Sequence, residues 1–89
     1  MQLDRTVLED NIKKSLAVAM ERTGMDFKSI DNTIQDVASE FPNTKLKTII
    51  EAIRKGSLGA YGRTYKLNTQ EVCFWIKEYL KQQNKSLGI

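Results

Sequence analysis

The sequence predicts an all-α fold: a compact bundle of about four helices over approximately 6–22, 27–41, 45–55 and 69–83, with a Gly/Tyr-rich connector at 56–67. Three observations predict it. Apolar residues recur at intervals of three and four within each of the four segments, which puts them on one helix face. No segment alternates apolar and polar residues convincingly over the length of a strand. The residues that start and stop helices, Gly24, Pro42, Gly56 and Asn68, fall between the periodic runs. At 89 residues, 40% hydrophobic and 28% charged, the chain suits one folded domain over 1–89 with a modest core.

In the first helix, Thr6 followed by Glu9 reads as a capping box, in which hydroxyl and carboxylate each satisfy a backbone N–H. Leu8, Ile12, Leu16, Ala19 and Met20 form its apolar stripe, and Gly24 is placed to end it in a left-handed conformation. Asp26 is the first candidate to cap the second helix and Ser29 the second. Phe27, Ile30, Ile34, Val37 and Phe41 then make a narrow seam, expected in the core or at a dimer contact. Pro42 disfavours helical geometry at Phe41 and closes the element.

Asn43 or Thr44 is expected to cap the third helix, with Leu46, Ile49, Ile50 and Ile53 inside. Arg54 and Lys55 occupy its last turn, where cations favour the negative end of the helix dipole, and Gly56 is expected to stop it. The connector that follows is longer than the roughly 2–8 residues usual between packed helices, so it should have structure or function of its own. Ser57 to Tyr61 suits a single helical turn, and Leu58, Tyr61 and Tyr65 are expected to plug the loop onto the helices. Asn68 and Glu71 cap the last helix, in which Val72, Trp75, Ile76, Tyr79 and Leu80 form the stripe and Cys73 and Phe74 its edges. So broad an apolar face predicts a central helix, and the polar tail from Gln82 to Ile89 is expected to fray.

The side-chain inventory points away from catalysis. There is no His, the commonest general base and metal ligand, and the single Cys73 cannot build a usual zinc site or an intrachain disulfide. No enzyme activity, metal or cofactor is expected. Gly56, Gly59 and Gly62 follow a helix, whereas phosphate-cradling glycine loops follow a strand, so these glycines are read as shaping the backbone. No apolar run is long enough for a membrane span and the N-terminus lacks the apolar stretch of a signal peptide, so a cytoplasmic protein without membrane contact is expected.

Charge is divided unevenly along the chain. Residues 1–44 hold five Lys/Arg against eight Asp/Glu, net −3, and residues 45–89 hold nine against three, net +6. The basic half suits an anionic partner, and the same split suits docking of the two halves or of two copies. Arg54, Lys55, Arg63 and Lys66 surround Tyr61 and Tyr65, combining cations for phosphates with rings that can stack on unpaired bases. The helices flanking Phe41–Thr44 also admit a helix-turn-helix reading, with Lys45, Lys47 and Arg54 turned toward a groove.

Gly56-x-x-Gly59-x-Tyr61-Gly62, then Tyr65, Leu67-Asn68 and Trp75-Ile76 with Tyr79, resembles a pattern in small replication accessory proteins of bacteriophages and mobile elements, similar to helicase-loader or replisome-organiser domains. The resemblance covers about a third of the chain, Ile53 to Leu80. It implies a non-enzymatic adaptor in DNA replication that meets a protein partner, DNA or both. On this reading Arg54, Lys55, Arg63 and Lys66 are the candidate binding residues. Gly56, Gly59, Tyr61, Gly62, Tyr65, Asn68, Trp75 and Tyr79 shape the fold. The competing expectation is a structural or homodimerising protein with no nucleic-acid role.

Overall fold

The computed structural model describes residues 5–87, with the side chains of 84–87 outside the description. Four helices fill it: α1 (Arg5–Thr23), α2 (Ile30–Glu40), α3 (Leu46–Ser57) and α4 (Thr69–Leu87). There is no strand among the described residues. Helix α1 packs on α2 and on α3, and α4 packs on α3 and on α2. Among the described residues the diagonal pairs α1–α4 and α2–α3 have no close backbone approach and meet only through the shared core. The bundle is therefore two sequential hairpins, α1–α2 and α3–α4, laid against each other. The expected central position of α4 is corrected by this order: it holds one corner of four, and its outer face shows Phe74, Lys77 and Lys81 to solvent.

The core follows the stripes. Ile12, Leu16 and Ala19 of α1, Ile34 and Val37 of α2, Ile49, Ala52 and Ile53 of α3, and Val72, Trp75 and Ile76 of α4 are buried together with Leu67. Phe27, Ile30 and Phe41, the ends of the α2 seam, pack against this cluster while partly exposed. At roughly 25 cal/mol per Å² of apolar surface, burial of these side chains is the main force holding the hairpins together.

The helix ends depart from the sequence reading in several places. Arg5 is already helical, so Thr6 is not the cap of α1, and Glu9 turns instead to Arg5 and to Gln35 of α2. Gly24 does end α1, at φ +69°, with its N–H on the Met20 carbonyl. Ser29, not Asp26, caps α2: its hydroxyl accepts from the Asn32 N–H at 3.3 Å. Phe27 consequently lies before the helix. Lys45 occupies the cap position of α3 and gives no side-chain hydrogen bond, so neither Asn43 nor Thr44 serves there. Asn68 caps α4 as expected, with Oδ1 accepting from the Glu71 N–H at 2.9 Å. The polar tail is helical as far as Leu87, and its last two residues, 88 and 89, lie outside the described residues.

The largest correction concerns Gly56. It does not stop α3; the helix runs through it to Ser57, and Leu58 is the terminal cap. Gly56 is buried, and a Cβ placed on it would fall inside the Trp75 indole, 2.6 Å from Cδ1 and closer still to Cγ and Cδ2. Here glycine permits close approach of two helices, because the α3 backbone lies directly on the indole. Trp75, fully buried, takes the space that any side chain at 56 would need.

Polar contacts add stitching between hairpins. The Arg22 guanidinium donates to the Ser57 hydroxyl at 2.9 Å, joining the ends of α1 and α3. The hydroxyls of Thr33 and Thr69 meet at 3.1 Å, and Thr69 donates to Asp36 at 3.3 Å, joining α2 to the start of α4.

Candidate functional site

After Ser57 the chain leaves α3 through overlapping turns. Leu58 N–H reaches the Arg54 carbonyl, Ala60 N–H the Lys55 carbonyl, and Gly62 N–H the Gly59 carbonyl at 3.2 Å. Gly59 and Gly62 carry positive φ, +89° and +107°, which turns the backbone without a Cβ penalty. The connector is thus folded, as its length suggested, but its three expected plugs behave differently.

Tyr61 packs against the core, half-buried, and its hydroxyl is buried with no hydrogen-bond partner among the described residues. Burial, followed by the nearby Tyr79, Glu78 and Glu51, pushes its pKa above the usual tyrosine range. Leu67 is also buried. Leu58 and Tyr65, by contrast, are 59% and 76% exposed, which corrects their assignment as plugs. Leu58 is exposed where α3 ends, before the positive-φ glycines, and Tyr65 is exposed after them.

The four candidate cations divide into two groups. Arg54 donates to the Glu51 carboxylate at 3.1 Å, and the Lys55 ammonium lies 5.3 Å from the centroid of the Tyr79 ring. Both are engaged by groups on the α3–α4 face, where Tyr79, Glu78 and Glu51 also act on Tyr61. Arg63 and Lys66 belong to the exposed tip. The Arg63 guanidinium carbon sits 5.6 Å from the Tyr65 ring centroid, within cation–π range. Lys66 borders a notch of about 430 Å³ between the connector and the α1–α2 loop. Met25, Asp26 and Lys28 supply one side of the notch, and Tyr65, Lys66, Leu67 and Asn68 the other.

Lys28 lines this notch and is absent from the sequence-derived candidate residues. A signal for it existed: in a bundle of two sequential hairpins, the α1–α2 loop and the α3–α4 connector come to the same end. The local charge is three cations, Lys28, Arg63 and Lys66, against the one carboxylate of Asp26. Among the described residues, neither Arg54, Arg63 nor Lys66 pairs with Asp31, Asp36 or Glu40.

A second concavity, about 580 Å³, lies between α2 and α4 on another face. Phe74, 42% exposed, stands in it with Cys73, and Asp36, Glu40 and Lys77 border it. Burial first, then the Glu40 carboxylate, pushes the Cys73 thiol up; Lys77 opposes and Asp36 adds.

The geometry supplies no helix-turn-helix pair. The helices on either side of Phe41–Lys45 are the diagonal α2 and α3, which among the described residues lack the close backbone approach of that motif. Among the described residues no cluster of three or more His, Cys, Asp or Glu gathers, and no helix is long and apolar enough to cross a membrane. No protein-family model, curated protein or solved structure matches this chain.

Proposed function

We propose that this protein is a non-enzymatic α-helical interaction module that serves nucleic-acid metabolism by holding an anionic partner, nucleic acid, on its basic C-terminal half. The observation that carries the reading is the exposed Tyr65 ring with Arg63 against it and Lys66 and Lys28 beside it. A ring in water beside three cations costs hydrophobic burial and contributes nothing to the core, whereas it suits a surface that meets phosphates and bases. Arg54 and Lys55 flank this surface in a secondary role, because Glu51 and Tyr79 already engage them. The likeness of the Gly56-to-Tyr79 pattern to phage and mobile-element replication accessory proteins points the same way.

Titration of labelled DNA and RNA with the protein tests the reading, first at low salt and then with salt added. Binding that weakens steeply with salt, and that Arg63→Gln with Lys66→Gln abolishes, is expected. Absence of binding at low salt, where phosphate contacts are strongest, rejects it.

A second reading, self-association or docking on a protein, is favoured by Phe74 in the groove between α2 and α4. Its acidic rim, Asp36 and Glu40, is complementary to the basic connector of a second copy. Light scattering separates this reading from the first: a monomer through the micromolar range rules out the second copy.

A further inference from the structure

We propose that the notch beside Tyr65 seats an unpaired nucleotide, so that the ligand class of this surface is single-stranded rather than duplex nucleic acid. The inference rests on the nucleic-acid reading above and deepens it. A volume of about 430 Å³ falls within the range of small-ligand sites, roughly 300–1,000 Å³, and leaves room for one nucleotide but not for a double helix.

The walls match the parts of a nucleotide. Tyr65 forms an aromatic wall, and Arg63, which does not line the notch, lies 5.6 Å from the centroid of that ring. A base entering the notch would stack on a phenol ring already beside a guanidinium. Leu67 and Met25 give an apolar floor, Leu67 being buried and Met25 packed on the core. Lys28 and Lys66 stand at the rim, from two different loops, where the phosphates on either side of an inserted base would pass. The Asn68 carbonyl oxygen is occupied by the Glu71 N–H, which leaves its amide N–H groups free to donate to the base. In a duplex both faces of every base are already stacked, so Tyr65 would have nothing to receive.

The test is fluorescence anisotropy with the full chain at low salt, using a mixed-sequence labelled oligonucleotide of about twelve nucleotides, as single strand and as duplex. Single strand is expected to bind at least roughly tenfold more tightly than duplex. Tyr65→Leu should lower single-strand affinity roughly tenfold and leave duplex affinity unchanged, while Tyr65→Phe retains both. Lys28→Gln should weaken binding and reduce the salt slope by about one. Both positions, Tyr65 and Lys28, are exposed, so the folded state is preserved, and unchanged emission from buried Trp75 verifies it. Equal affinity for single strand and duplex, with Tyr65→Leu harmless, overturns the notch but leaves the broader phosphate-binding reading standing. Failure of both nucleic acids to bind at low salt sinks both.

Discussion

Gly56 is the position where one atom decides most. Alanine in a helix interior normally gains about 1 kcal/mol over glycine through propensity. At Gly56 that gain meets a buried indole occupying the place of the methyl group. Overpacking costs typically about 1–3 kcal/mol, and so deep an overlap with a rigid ring belongs at or beyond the upper end. Gly56→Ala should therefore destabilise the protein by about 2 kcal/mol or more, read in urea from the emission of the single Trp75. The sequence supported a helix stop here, because glycine after two cations fits that role. The available counter-signal was register: Ile49, Ala52, Ile53 and Gly56 continue one face, and the small pair at 52 and 56 marks a close approach.

Tyr61 gives the opposite sign. Its hydroxyl is buried without a partner among the described residues, a situation that costs on the order of 1–3 kcal/mol. Tyr61→Phe should keep the packing and raise stability by about 1 kcal/mol. Alkali provides a second readout. The folded-state pKa is raised above the unfolded value of about 10, so below that pH the neutral phenol is present in both states and stability is unaffected. As pH climbs from about 10 through the folded value, the unfolded chain ionises first and stability is lost. Phenylalanine should remove Tyr61's share of that alkaline loss. Denaturant midpoints from pH 8 to 11 should show the two curves drawing apart above about pH 10 as the wild type loses stability faster, and parallel curves would count against the assignment.

The helices differ in how well their starts are satisfied. Ser29 and Asn68 each accept a backbone N–H at the head of α2 and α4, and replacing either with Ala should cost about 1 kcal/mol. Helix α3 begins at Lys45 with no such bond. Lys45→Ser should consequently stabilise the protein by roughly 0.5–1 kcal/mol, an unusual gain for a surface change, measurable by the same denaturant midpoints. Four elements and their buried faces were legible from period alone, because a 3.6-residue repeat is a property of local sequence. The caps were less legible. Asp26, Asn43 and Thr44 are all competent chemically, and the choice among neighbours depends on where the loop must enter the bundle. Tyr65 and Leu58 were misread for a related reason: composition marks them as apolar, while exposure depends on where α3 ends, at Leu58, and on the path the backbone takes through Gly59 and Gly62 before Tyr65.

For the molecule as a whole, the charge division acquires a geometric meaning. The hairpin α1–α2 falls in the half of net −3, and the hairpin α3–α4 in the half of net +6. Their interface is nevertheless apolar, with Arg22–Ser57 and the Thr33–Thr69–Asp36 contacts as its polar members. Opposite charge thus acts between the hairpins over distance more than through ion pairs, a contribution that salt screens beyond about 10 Å at 0.1 M. The same end-to-end order brings Lys28 beside Lys66, a juxtaposition no local pattern could display. This explains why Arg63 and Lys66 could be named from the sequence as candidates and Lys28 could not.

The short crossing at Phe41–Lys45 links two helices whose backbones do not approach closely among the described residues. Severing the chain there would break no helix and sacrifice little buried surface. Fragments 1–44 and 45–89, mixed at low ionic strength, should find each other, reconstitute helical circular dichroism and shift Trp75 emission to the blue. The protein would then serve as a self-assembling pair of pieces, a reporter whose reassembly marks when two fused partners meet.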